Sequence, residues 1–116
     1  MYCRAMSRTV TLTHTAALSR LGYALADDTR SRILLALREA PAYPSDLADR
    51  IGVSRQVMSN QLACLRGCGL VDVAPEGRRA SYRLADPALG SALDDLLKLV
   101  LVVDPECCSG TECTCV

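Results

Sequence analysis

Leu47, Ala48 and Ile51 form a short apolar helical stripe that Gly52 closes, and a few residues later Ser54 opens a second helical pattern, Arg55 to Cys68. Glycine suits the left-handed turn that ends a helix, and a serine oxygen can accept the first orphan amides of the next one. Two helices joined this tightly are a helix-turn-helix. Gly69 stops the second helix. Beyond it, Leu70 to Val73 and Ser81 to Leu84 alternate apolar and polar residues around Pro75-Glu76-Gly77-Arg78-Arg79, the pattern of a β-hairpin with a basic tip. A helix-turn-helix followed by such a hairpin is a winged helix.

The flanking segments complete the architecture. His14 to Ala26 carries Leu18, Leu21 and Leu25 at helical spacing. Asp28 or Thr29 can cap a second helix with Ile33, Leu34 and Leu37 on its inner face, ending before Pro41, and the loop Pro41 to Pro44 follows. After Asp86-Pro87, the residues Leu89, Leu93, Leu96, Leu97, Val100 and Leu101 predict a long helix that ends near Asp104-Pro105. The expected fold is therefore mainly α, an α+β winged helix-turn-helix of about five helices and one two-stranded wing. Its last apolar stripe is wide for so small a protein, which predicts packing against a second subunit as a homodimer. Residues 1–13 read as a flexible arm, 14–104 as the DNA-binding and dimerisation domain, and 105–116 as a flexible Cys-rich tail.

Length and composition agree with one small domain. A chain of 116 residues buries roughly two-thirds of its unfolded surface. With no Phe or Trp and only four Tyr, the core must come from Leu, Val, Ile and Ala, which suits close-packed helices. The formal net charge is zero, but Arg50, Arg55, Arg66, Arg78, Arg79 and Arg83 gather in the middle and Asp94, Asp95, Asp104, Glu106 and Glu112 come late. Local basicity, not the sum, is what a polyanion meets.

Seven cysteines would suggest a disulfide scaffold in a secreted chain, yet the N-terminus has no continuous apolar run before a cleavage site. The run Leu96 to Val103 is interrupted by Lys98 and is far shorter than the roughly 20 residues of a membrane span. A cytoplasmic, reducing setting is expected, where clustered thiols more often bind metal or sense oxidants.

On the second helix of the motif, at about 100° per residue, Met58, Leu62 and Leu65 lie within about 60° of one another and define the buried face. Gln56, Asn60, Ala63 and Gly67 point the other way. Gln and Asn amides are suited to a bidentate adenine edge in the major groove, and Ser54, Arg55 and Ser59 are placed for phosphates. Arg78 and Arg79 on the wing extend that surface. The expected partner is double-stranded operator DNA.

Cys64 and Cys68 fall about 80 to 130° from the centre of the buried stripe, on its flank beside Gln61. Thiols at i and i+4 can close on one metal, or can be small residues filling space. Spacing alone leaves both readings open. Cys107, Cys108, Cys113 and Cys115 add four thiols in a short polar tail with no packing role to explain them. Helix and tail together favour a three- or four-sulfur site for a soft ion. Cys3 is either a plain thiol of the arm or a further ligand.

Other chemistry finds no residues. His14 is the one histidine, so neither a Ser-His-Asp triad nor a metalloprotease helix can be assembled. Nothing resembles a paired catalytic acid and base, and Asp94-Asp95 reads as a solvated helix face. The chain reads as no enzyme, with no organic cofactor, small organic substrate or membrane partner.

The segments ALADDTRSRILLAL, DLADRIGVSRQVMSNQLACLRGCGLV and EGRRASYRL resemble the ArsR/SmtB family of winged-helix metal-responsive repressors, in the right order over about half the chain. LRGCGLV, with cysteines at 64 and 68, is most similar to the CmtR-type cadmium/lead sensors of that family. The resemblance implies a site of Cys64 and Cys68 with a tail thiol of the partner subunit, Cys107 or Cys108, and release from DNA on binding Cd(II) or Pb(II), with Zn(II) or As(III) as other inducers. Asp28 stands at a usual proline and Gln61 at a frequent histidine. ALREAPAYPSDL has no cysteine where the arsenic and cadmium branches carry a CxC-like motif, and the last helix lacks the histidines of the zinc branch. An arsenite or antimonite sensor of the same fold, and a metal-free thiol redox switch, are the other readings.

Overall fold

The chain enters its first helix through Thr13, whose Oγ1 accepts the Ala16 amide at 3.2 Å. The computed structural model describes residues 12–104. In order the elements are α1 (His14–Leu25), α2 (Asp28–Glu39), α3 (Pro44–Ile51), α4 (Arg55–Gly67), β1 (Val71–Glu76), β2 (Arg79–Leu84) and α5 (Pro87–Leu96). Cys3, Cys107, Cys108, Cys113 and Cys115 lie outside the described residues, as do nearly all of the expected arm and the whole of the expected tail.

Local chemistry explains the boundaries. Asp27, not Asp28 or Thr29, caps α2: its carboxylate accepts the Arg30 amide at 3.0 Å. Asp28 is already helical and pairs with Arg32 one turn on, a cheap use for an acid in the positive first turn. Pro44 and Pro87 open α3 and α5, where a missing N–H costs nothing. Gly52 ends α3 at φ 83°, and Ser54 caps α4 by accepting the Val57 amide at 3.1 Å. The turn between the motif's helices is thus held by one glycine and one serine.

The core is aliphatic, as the composition requires. Ile33, Leu34 and Leu37 of α2 lie at its centre, with Leu47 of α3, Met58, Leu62 and Leu65 of α4, Val71 of β1 and Leu93 of α5 around them. The stripe foreseen on α4 is the buried one. Full burial of side chains of this size contributes roughly 1.5–3 kcal/mol each before chain entropy is counted.

Two elements differ from expectation. The strands are longer and the loop shorter: β1 and β2 pair antiparallel from Val71↔Leu84 to Glu76↔Arg79, leaving Gly77-Arg78 as a two-residue turn. Gly77 sits at φ 65°, the left-handed geometry that such hairpin loops require. Arg79 is therefore a strand residue. Ala42 adds an isolated bridge to Tyr82, exchanging both backbone hydrogen bonds at 3.0 and 2.8 Å, so the loop before α3 is stitched to β2.

The last helix is shorter than expected. It stops at Leu96 with Leu97 as its C-cap, well before Asp104. The apolar residues beyond are exposed, Val100 by 87% and Val102 by 94%. Helical length depends on packing more than on propensity, and β-branched residues with nothing to bury against give little reason to continue. Arg38 of α2 holds α5 in place through an ion pair with Asp94. Among the described residues no helix is long and apolar enough to cross a membrane.

Candidate nucleic-acid interface and metal centre

Packing Met58, Leu62 and Leu65 inward turns Gln56 and Asn60 on the opposite side of α4 to solvent, and Ser54, Arg55 and Ser59 near the helix start are exposed as well. The expected reading residues are therefore gathered on one accessible surface. Gln56 Nε2 donates to Asn60 Oδ1 at 3.0 Å, so the two amides orient each other one turn apart. To meet an adenine edge they must exchange that bond for base contacts, a near-even trade. Ser54 Oγ is occupied as an acceptor by its cap but keeps an O–H to donate.

The wing divides its two arginines. Arg78, in the turn, is exposed. Arg79 instead lies back against the helix-turn-helix: its guanidinium carbon is 3.6 Å from the centroid of the Tyr43 ring, and Nη2 is 3.7 Å from Asp46 Oδ2. Tyr43 O–H donates to Glu76 Oε1 at 2.6 Å, and Glu76 is the cross-strand partner of Arg79. Accepting that bond, and its own negative charge, Glu76 raises the Tyr43 phenol above its ordinary 10.0. Sequence reading missed Tyr43, Asp46 and Glu76. Placing the turn at Gly77-Arg78 would have exposed the Glu76–Arg79 pairing.

The thiols sit at the far end of the same helix. Cys64 is half-buried and free, and Cys68 is the C-cap, 8% exposed, its amide donating to the Cys64 carbonyl at 3.0 Å. Cys68 is thus more deeply buried than a flank position suggested. It is disulfide-bonded. Among the described residues no three His, Cys, Asp or Glu side chains gather closely enough to hold a metal. With the Cys68 disulfide reduced, the pair would offer soft donors on a fixed scaffold, and a complete site needs at least one more ligand.

One turn before Cys64, Gln61 is tied to the rest of the molecule. Arg30 Nη1 donates to Gln61 Oε1 at 3.3 Å, while Nε and Nη2 donate to the carbonyls of Ala24 and Tyr23 at 3.2 and 2.9 Å. Its guanidinium also lies 4.5 Å from the Tyr23 ring centroid. One side chain of α2 therefore brackets the end of α1 to α4 beside the thiols. No spacing rule reveals such a contact.

Residues 27–73 match the model of a family described as "Bacterial regulatory protein, arsR family". The chain is 53% identical over 91 residues to the HTH-type transcriptional regulator CmtR of Mycobacterium tuberculosis, spanning 78% of this chain and 77% of that one. The NMR structure described as the cadmium metal-sensor CmtR from M. tuberculosis superposes with a TM-score of 0.64 at 49% identity, covering 81% of this chain and 99% of that one. A homodimeric winged helix-turn-helix DNA-binding domain from Mycobacterium bovis superposes at 0.65 with 26% identity, over 77% and 89% of the two chains. These relatives are regulators, in accord with a chain that is no enzyme.

Proposed function

Because the chain belongs to the arsR family of bacterial regulatory proteins, we propose that it is a cytoplasmic dimeric transcriptional repressor that holds operator DNA when metal-free and releases it on binding Cd(II) or Pb(II). One observation carries the reading. The amide side chains of Gln56 and Asn60 and the cysteines Cys64 and Cys68 lie on one helix and its C-cap, the amides toward the N-terminus and the cysteines at the C-terminal end. The similarity to a protein described as a cadmium sensor supports it.

Once the Cys68 disulfide is reduced, two thiolates at the C-terminal end of α4 and a third, from Cys107 or Cys108, would make a soft donor set that suits these ions better than hard ones. Bound, the metal supplies a fixed centre for three sulfurs. The protein's own part is to hold Cys64 and Cys68 one turn apart on a helix whose other face is rigidly packed, so that drawing them toward a tail restrains α4. No relay across the fold is needed. A tenfold loss of operator affinity takes only about 1.4 kcal/mol of coupling, and DNA must weaken metal binding equally.

Dimerisation follows from apolar surface that one chain leaves uncovered. Leu18 of α1 is 68% exposed, and Leu96, Leu97 and the residues beyond α5 are open as well. A two-fold partner covering both regions would set two α4 helices toward successive major grooves.

The test is operator affinity with and without Cd(II) for wild type, Cys64→Ser and Cys68→Ser, alongside the ultraviolet thiolate-to-metal charge-transfer band with and without residues 106–116. Both substitutions should abolish metal-induced release, and truncation should weaken the band. Unchanged release in both variants would sink the site.

The disulfide at Cys68 favours a second reading, a thiol redox switch. Two thiols give two electrons and two protons to hydrogen peroxide, whose O–O bond breaks, forming one S–S bond and two waters. Peroxide-dependent release that persists under strong chelation would select it over the metal. Arsenite, antimonite and Zn(II) titrated in competition with Cd(II) decide between inducers.

A further inference from the structure

We propose that Arg79 is a positioning residue of the wing, clamped by Tyr43 and Asp46, and that Arg78 alone of the wing's arginine pair is delivered to DNA; this rests on the DNA-binding reading above. The adjacent arginines look equivalent in sequence, and the structure gives them different surroundings. Arg79 lies at 3.6 Å over the Tyr43 ring and faces Asp46 of the first turn of α3. Tyr43 in turn donates at 2.6 Å to Glu76, across the strand pair from Arg79. Tyr43, Glu76 and Arg79 close a ring through the strand pairing, with Asp46 joined to it at Arg79, just behind the two-residue turn that carries Arg78.

The guanidinium of Arg79 is held by the stack on Tyr43 and faces Asp46, although half of the side chain stays exposed. A phosphate that drew it outward would have to pull it off the ring and away from the carboxylate. Two-stranded ribbons are marginal by themselves, and the backbone bridge Ala42–Tyr82 ties the β1–β2 pair toward its opposite end. The ring therefore fixes the distal half of the hairpin, and with it the direction in which the turn points. Removing it leaves Arg78 on a wing that must be ordered at the moment of binding.

The experiment uses the full chain and a duplex selected by the wild-type protein from a random-sequence pool. Exposed cation–π contacts correspond to a factor of roughly two to five, so Tyr43→Leu should lower duplex affinity about fivefold. Its slope of log affinity against log salt should stay at the wild-type value, because no phosphate contact is lost. Tyr43→Phe keeps the ring and should retain most of the affinity. Arg79→Gln combined with Tyr43→Leu should be no worse than either alone, while Arg78→Gln should reduce the salt slope by about 0.9. Unfolding midpoints should fall by no more than about 5 °C, since Tyr43 is only half-buried and Asp46, Glu76 and Arg79 are exposed.

Wild-type-like binding by Tyr43→Leu, together with a salt slope reduced by about 0.9 in Arg79→Gln, would overturn the proposal and make Arg79 a phosphate ligand. A second readout needs no DNA. Backbone amide order parameters at Gly77 and Arg78 should fall in Tyr43→Leu, and unchanged values would overturn the clamp by themselves. If the wild type selects no duplex, the DNA-binding reading fails, and the order parameters still decide the clamp.

Discussion

Replacing Arg30 with Met tests how α1, α2 and α4 are held together. The substitution keeps an apolar stem and removes donors to Ala24 O, Tyr23 O and Gln61 Oε1, together with the contact to the Tyr23 ring. Hydrogen bonds to a charged group contribute roughly 1.5–3 kcal/mol each, but these share one partly buried guanidinium, and at 3.2 and 3.3 Å two of the three are long. The Ala26 amide also reaches Tyr23 O at 3.3 Å, so that carbonyl is not orphaned. Ala24 is fully buried, and its carbonyl is the one that suffers. One strong bond, two weaker ones and a partial cation–π contact sum to about 2–3 kcal/mol. For a domain of this size that lowers the unfolding midpoint by roughly 10–20 °C, measured calorimetrically at fixed protein concentration because a dimer's midpoint depends on it. Gln61→Leu removes only the bond to α4 and should cost about 1 kcal/mol. A midpoint for Arg30→Met within about 2 °C of wild type would refute the bracket.

Three shorter predictions accompany it. Gly52→Ala places a Cβ at φ 83° in otherwise open space, so strain alone acts, and denaturant titration should show a loss of about 1–2 kcal/mol. The Tyr43 phenol should titrate above 10.0, seen as the ultraviolet difference between wild type and Tyr43→Phe, and Glu76→Gln should bring it back down. Since its folded value is raised, Tyr43 contributes stability that is whole below pH 10 and declines as pH rises through the folded value. Leu97→Asp, at an exposed apolar position, should shift the chain from dimer to monomer in sedimentation at micromolar concentration; an unchanged dimer would move the interface elsewhere.

The parts of this fold legible in sequence are those written in local chemistry. Ser54 and Gly52 mark helix ends because capping and left-handed turns are decided within a few residues, and the Met58, Leu62, Leu65 stripe follows from helical period alone. The cap of α2 was displaced by one residue because Asp27 and Asp28 are chemically equal, and only the actual backbone shows which is extended. The strands of the wing extend further than their alternation indicates. Pro75 looks like a strand breaker, yet it stands in β1 of a two-stranded ribbon, where an edge tolerates it. The end of α5 was placed too late because periodicity continues past the point where the chain has something to pack on. Contacts across long stretches of sequence, such as Arg30 to Gln61 and Arg79 to Tyr43, carry no spacing signal at all.

Under the proposed function, the placement of Cys64 and Cys68 at the far end of the helix that carries Gln56 and Asn60 has a geometric consequence for regulation. Eight residues separate Gln56 from Cys64, about 12 Å along the axis at 1.5 Å per residue. A tilt of about 5° around the thiol end would move Gln56 by about 1 Å, enough to spoil a bidentate amide contact whose geometry tolerates a few tenths of an ångström. The packed stripe resists bending within the helix, since Met58, Leu62 and Leu65 are essentially without exposure. A pull at Cys64 and Cys68 is then transmitted as motion of a rigid rod rather than absorbed locally. Arg30 opposes that motion through Gln61, midway along the rod. Gln61→Leu should consequently loosen the DNA-competent pose, giving a weaker metal-free complex and a smaller further loss on adding Cd(II). A variant with unchanged metal-free affinity and a full response would show that α4 is held by its apolar stripe alone.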